Sequence, residues 1–133
     1  MKIIGNVTCL NACEFEKNFH LYIRIDSGSS WEQRFIDASS FPAPFTFQPG
    51  RIRNGTISAN IKGNDRNLKF YTITPVPVSS LNGDITKVII IVKKCPSIQC
   101  KCPYGFSKDK NGCNACQCID PCYSIEQKVC QEV

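Results

Sequence analysis

Ten cysteines are the residues of this chain whose type and spacing carry chemistry: Cys9, Cys13, Cys95, Cys100, Cys102, Cys113, Cys116, Cys118, Cys122 and Cys130. Two chemistries suit them. Cys100-x-Cys102, Cys113-x-x-Cys116 and Cys116-x-Cys118 have the spacing of thiolate pairs on a metal ion. Alternatively, eight cysteines crowded after residue 94, in a segment poor in large apolar residues, are covalent staples that replace a core. Two glycosylation sequons, Asn6-Val7-Thr8 and Asn54-Gly55-Thr56, favour the second reading, because they belong to a secreted chain. The expectation is an extracellular protein with every cysteine oxidised, no metal and no cofactor. Spacing leaves the pairing open. Cys9 with Cys13, and Cys122 with Cys130, are the simplest local bridges, and a bridge from Cys9 or Cys13 into the C-terminal segment is the alternative.

Nothing else assembles into a catalytic set. His20 is the one histidine, and it stands at the start of an expected strand without a nucleophile motif beside it. Glu14, Glu16 and Asp26 are scattered carboxylates with no sign of an acid–base pair. The expectation is a protein that is not an enzyme.

Charge is uneven along the chain. The formal net charge is +5, and residues 1–94 carry all of it, with 12 Lys/Arg against 7 Asp/Glu. Arg51, Arg53, Lys62, Arg66 and Lys69, interleaved with Phe70 and Tyr71, form a candidate patch for an anionic partner such as a sulfated glycan, an anionic lipid or an acidic protein face. A solvated basic sheet face is the plainer account. Nucleic acid is not expected as a partner of an extracellular protein.

These side chains must be positioned by β structure. Leu21, Ile23 and Ile25 alternate with Tyr22, Arg24 and Asp26, and Ile57, Ala59 and Ile61 with Ser58, Asn60 and Lys62, the period of half-buried strands. Further strands are expected at 68–73 and 85–92, with Asn82-Gly83-Asp84 as the turn between them. Pro42, Pro44, Pro75 and Pro77 keep their stretches out of a helix interior and a central ladder. Val88 to Val92 is apolar on both faces, so it is either a central strand covered on both sides or a strand in contact with another chain. Lys87, Lys93 and Lys94 fence that run, which is too short to span a membrane. Met1-Lys-Ile-Ile-Gly5 has no apolar signal segment, so Met1 is read as a native start or as one added to a mature chain. Composition changes near Lys94. The expected architecture is mainly β: an antiparallel β-sandwich of about seven strands over residues 1–94, then a disulfide-knotted module with little regular structure over 95–133.

Residues 95–118 resemble the antistasin-type domain of extracellular proteins and leech inhibitors. The shared elements are Cys102-Pro-Tyr-Gly-Phe106, the Asp109-x-x-Gly112-Cys113 turn and the Cys113-x-x-Cys116-x-Cys118 ending. In inhibitory members, as the resemblance implies, the residue after the second cysteine enters the protease's specificity pocket, and three residues separate the second and third cysteines. Lys101 holds the first position and would suit a trypsin-like protease, but it alone separates Cys100 from Cys102. So short a spacer is expected to remove the extended loop that docking needs. Residues 1–94, through Lys2–Thr8, Leu21–Ser27, Pro42–Phe47 and Thr74–Val78, resemble the small β-sandwich lipoproteins of bacteria that include type III secretion pilotins. That resemblance implies a sandwich and no catalytic residues. The functional expectation is an extracellular binding or structural protein making protein–protein or self contacts, with trypsin-like protease inhibition through Lys101 as the alternative.

Overall fold

The computed structural model describes residues 1–11, 13–98 and 100–119. They divide into two compact units, Met1–Cys95 and the unit that begins at Pro96. The protein is mainly β. In the first unit lie β1 (Lys2–Cys9), β2 (His20–Asp26), β3 (Trp31–Ile36), β4 (Ala43–Phe47), β5 (Asn54–Lys62), β6 (Leu68–Thr72), β7 (Val76–Ser79) and β8 (Ile85–Lys94), with one 3-10 turn at Ser80–Asn82.

All eight strands belong to a single sheet ordered β3-β2-β5-β6-β8-β1-β4, with β7 on β5. Alternation decides which side chains face in. Leu21, Ile23 and Ile25 from β2, and Ile57, Ala59 and Ile61 from β5, are wholly buried, as their period of two demands. Ile3 and Val7 of β1, Phe45 and Phe47 of β4, Phe70 of β6 and Val88, Ile90 and Val92 of β8 join them in one core. Pro44 is tolerated because β4 is an edge strand, and Pro77 because β7 pairs with β5 alone.

Three features differ from the sequence expectations. Asn82-Gly83 does not join the strands at 68–72 and 85–94 directly, since β7 and the 3-10 turn intervene. The ladders are antiparallel with one exception, β1 against β8, which run parallel from Lys2↔Ile85 to Cys9↔Val92. Gly5 permits that pairing: a Cβ there would stand 2.7 Å from Val88 Cγ2 and 2.9 Å from Phe45 Cε1, as well as against the Val88 carbonyl. Third, the apolar run of β8 is covered on one side only. Val88, Ile90 and Val92 point inward, while Ile89 and Ile91 remain 64% and 43% exposed.

The two edges of the sheet, β3 and β4, meet through side chains rather than a ladder. Glu32 of β3 accepts from the amides of Gly50, Arg51 and Ile52, just past β4, at 2.9, 3.2 and 3.2 Å. Arg34 of β3 lies 5.4 Å over the Phe47 ring of β4 and 3.5 Å from Glu32. Inward-turned charges on an edge strand discourage pairing with another chain's strand, so this seam both closes the sheet and protects it. The Gly50 amide, then those of Ile52 and Arg51 with the Arg34 charge, hold the Glu32 carboxyl below the ordinary glutamate value of 4.5. A depressed folded-state pKa contributes stability above the unfolded value, which is lost as pH falls through the folded one. Glu32→Gln should therefore melt below the parent at about pH 7, with the gap narrowing by about pH 3. Thermal melts of both chains across that range check this, and a gap independent of pH would count against the seam.

In the second unit β9 (Phe106–Lys108) and β10 (Asn114–Cys118) form a hairpin. Its turn is built as the residue types require. Asp109 Oδ1 accepts from the Asn111 and Cys113 amides at 2.8 and 3.0 Å, and Gly112 takes φ 89°. Gly105 likewise sits at φ 100°, open to glycine at little cost.

Candidate functional site

The cysteines resolve into bridges. Cys9 pairs with Cys13, Cys100 with Cys116 and Cys102 with Cys118. Cys95 and Cys113 are also disulfide-bonded, so all eight described cysteines are oxidised. The cysteines whose spacing suggested thiolate pairs are therefore all held in disulfides. Cys122 and Cys130 lie outside the described residues. Cys113 is wholly buried, and among the described residues of its unit no other apolar side chain is.

Lys101 is exposed between two bridged cysteines. A protease inhibitor must offer the carbonyl of its specificity residue outward, to the amide donors that stabilise the oxyanion. The Lys101 carbonyl oxygen instead lies 3.4 Å from Cys118 Sγ, turned toward its own module. The residue after it, Cys102, is fixed in a bridge. The side chain is available, but the backbone is not set out as a substrate-like loop.

The candidate basic patch does not form. Arg51 and Arg53 precede β5 and Lys62 ends it, so the nine residues of that strand separate them by roughly 27 Å. The correction is geometric: residues near in sequence lie at opposite ends of an extended strand. Lys62, Arg66 and Lys69 do share the β5–β6 turn, but Lys69 is bound to Asp65 at 3.2 Å. The sequon residues Asn6 and Asn54 are both exposed, and Asn54 Oδ1 accepts from Ser79 Oγ at 2.6 Å. His20 is half-buried, with Nε2 2.7 Å from Asn64 Oδ1, and no carboxylate among the described residues pairs with it.

Two surfaces of the first unit stand out instead. One is the outer face of β8, where Ile85, Ile89 and Ile91 are exposed, with Ile73 beside them, its N–H donating to the Ile91 carbonyl. β1 extends this face by Ile4 and Asn6, opposite Lys87 and Ile89. The other is the outer face of β2, β3 and the end of β5, where Phe35 and Trp31 are 54% and 57% exposed. Sequence reasoning flagged the first and missed the second, because its aromatics come together only through the β2–β3 register. Tyr22 lies opposite Phe35 and Asp26 opposite Trp31.

Comparison with known proteins places these features. Residues 93–118 match the antistasin family. By fold the chain is similar to an alternative pilotin from the type II secretion system of Vibrio cholerae, with a TM-score of 0.56 and 15% identity over 73% of this chain and 98% of that one. At that identity the likeness shows the fold. No curated protein matches the sequence.

Proposed function

We propose that this is a secreted binding protein without catalysis of its own, in which the first unit makes protein–protein contacts through the outer face of β8 and the antistasin-like unit is a rigid, disulfide-held module. The observation that carries the reading is the exposure of Ile85, Ile89 and Ile91 in alternation along one strand, beside Ile73. A group of exposed apolar side chains of this kind on a folded unit marks a contact surface. Lys87 and Lys93 interrupt and end the row, so the face associates side chain to side chain rather than by adding a strand. Self-association is the form this contact takes in the absence of another partner. The bridges support the oxidising compartment.

The alternative is serine-protease inhibition through Lys101, favoured by the antistasin match and by the exposed lysine. The Lys101 carbonyl, set against the Cys118 sulfur of its own module, weighs against it. One purified sample separates the readings. Light scattering should show concentration-dependent association, and Ile89→Glu should weaken it by about 10- to 100-fold, the value of one buried isoleucine. Trypsin should not be titrated at near-stoichiometric ratios. A monomer at every concentration that blocks trypsin, and that loses the block on Lys101→Ala, would reverse the ordering.

A further inference from the structure

The second surface belongs to no part of that reading. On the outer face of β2 and β3, Tyr22 and Phe35 pack edge to face with centroids 5.6 Å apart. The His20 ring stands 5.8 Å from Phe35, and Lys62 Nζ lies 5.6 Å over the Tyr22 ring. Lys62, Asn64 and Arg66 from the β5–β6 turn close a shallow depression over these rings. A second platform follows along the same strands, where the Arg24 guanidinium lies 4.6 Å over Trp31. Phe35 and Trp31 are four residues apart on one face of β3, roughly 13 Å at strand rise.

Charge complementarity names the ligand. Arg24 is neutralised by Asp26 at 2.9 Å and Lys69 by Asp65 at 3.2 Å. Lys62 and Arg66 have no carboxylate within salt-bridge range among the described residues, and they flank the Tyr22–Phe35 pair. Exposed rings on the outer face of a sheet offer stacking to a flat apolar surface, and unpaired cations beside them attract anionic groups on the same molecule. We infer that the outer face of β2 and β3, centred on Tyr22, Phe35, Lys62 and Arg66, binds an acidic oligosaccharide: sugar faces lie on the rings and sulfate or carboxylate groups meet the two cations. Single-stranded nucleic acid has matching stacking chemistry. The choice of sugar over it rests on the extracellular reading, while the site itself is independent of the β8 face.

The test uses the full oxidised chain, titrated by calorimetry with a size-defined heparin octasaccharide, a neutral dextran oligosaccharide and a single-stranded DNA of equal charge. Heparin is expected to bind, with an affinity that falls as salt rises, and dextran is not. Phe35→Ala should weaken binding by about tenfold, and so should Lys62→Gln with Arg66→Gln. Lys2→Gln with Lys87→Gln removes the same charge from the β1–β8 face and should change affinity by less than about twofold. Equal losses in the two double variants, or no loss in Phe35→Ala, would reduce the site to diffuse electrostatics and overturn it. DNA bound as tightly as heparin, with the same sensitivity to Phe35, would overturn the ligand class. The Phe35, Lys62 and Arg66 variants lie off the β8 face and keep the Ile89 surface, so their association by light scattering reports separately on the reading above.

Discussion

Phe70→Ala is expected to destabilise the first unit by about 3–5 kcal/mol and lower its melting temperature by more than about 12 °C. Phe70 is 1% exposed at the centre of an aromatic cluster. Its ring stands edge-on to Phe19 at 5.6 Å and to Phe41 at 5.4 Å. Phe15 completes the group, 5.8 Å from Phe19 and 5.4 Å from Phe41. Phe15, Phe19 and Phe41 come from irregular segments, so Phe70 is the member of the cluster that is anchored in a strand. Truncation removes the transfer free energy of the ring, two edge-to-face contacts and the support under those segments. Chemical denaturation followed by far-ultraviolet dichroism measures the loss. A cost below about 1.5 kcal/mol would show that the cluster collapses freely and does not hold the end of the core.

The second large effect is in the other unit. Reduction is expected to unfold the antistasin-like hairpin completely while leaving the eight-stranded sheet folded. Each of the bridges Cys100–Cys116 and Cys102–Cys118 spans a sequence separation of 16, worth about 3 kcal/mol of unfolded-state entropy in the chain-closure account. With Cys113 the one buried apolar side chain among that unit's described residues, hydrophobic burial cannot replace them. The first unit has a continuous core, and its Cys9–Cys13 bridge is peripheral, closing only a short loop. After reduction and alkylation, amide resonances from Phe106 to Cys118 should collapse to random-coil positions, and those of β1 to β8 should stay dispersed. A hairpin that survived, or a sheet that collapsed with it, would contradict the separation into two independently held units.

How far the sequence revealed this molecule depended on the range of the interaction. Strands β2 and β5 were legible, faces included, because a period of two is a local signal. The antistasin-like segment was legible because turn residues and cysteines stand at set spacing, and Gly105 and Gly112 within those motifs take positive φ. β8 was ambiguous for a physical reason: isoleucine on both faces looks the same whether the outer face is covered or bare. The basic residues were misgrouped because adjacency in sequence becomes distance along an extended strand. Tyr22 and Phe35 were invisible as a pair, since each sits at a position that alternation assigns to solvent and only cross-strand register joins them. The inhibitor alternative was weakened by spacing alone, and the orientation of the Lys101 carbonyl adds a reason that no spacing could supply.

The parallel ladder from Lys2↔Ile85 to Cys9↔Val92 also bears on how the chain reaches this state. The opening strand of the first unit has its longest ladder with the closing strand, so more than eighty residues must be looped before a single contact of that pair forms. Its other partner, β4, is an edge strand whose only backbone ladder is with β1 itself. During synthesis β2, β5 and β6 can pair as antiparallel neighbours as they emerge, and β1 can pair with β4, but the β1–β4 pair gains its ladder to the rest of the sheet only once β8 has emerged. Such long-range closure raises the contact order and slows folding. The interval leaves an apolar strand open to the wrong partner, which makes the nascent chain most dependent on chaperone cover just before its sheet is complete.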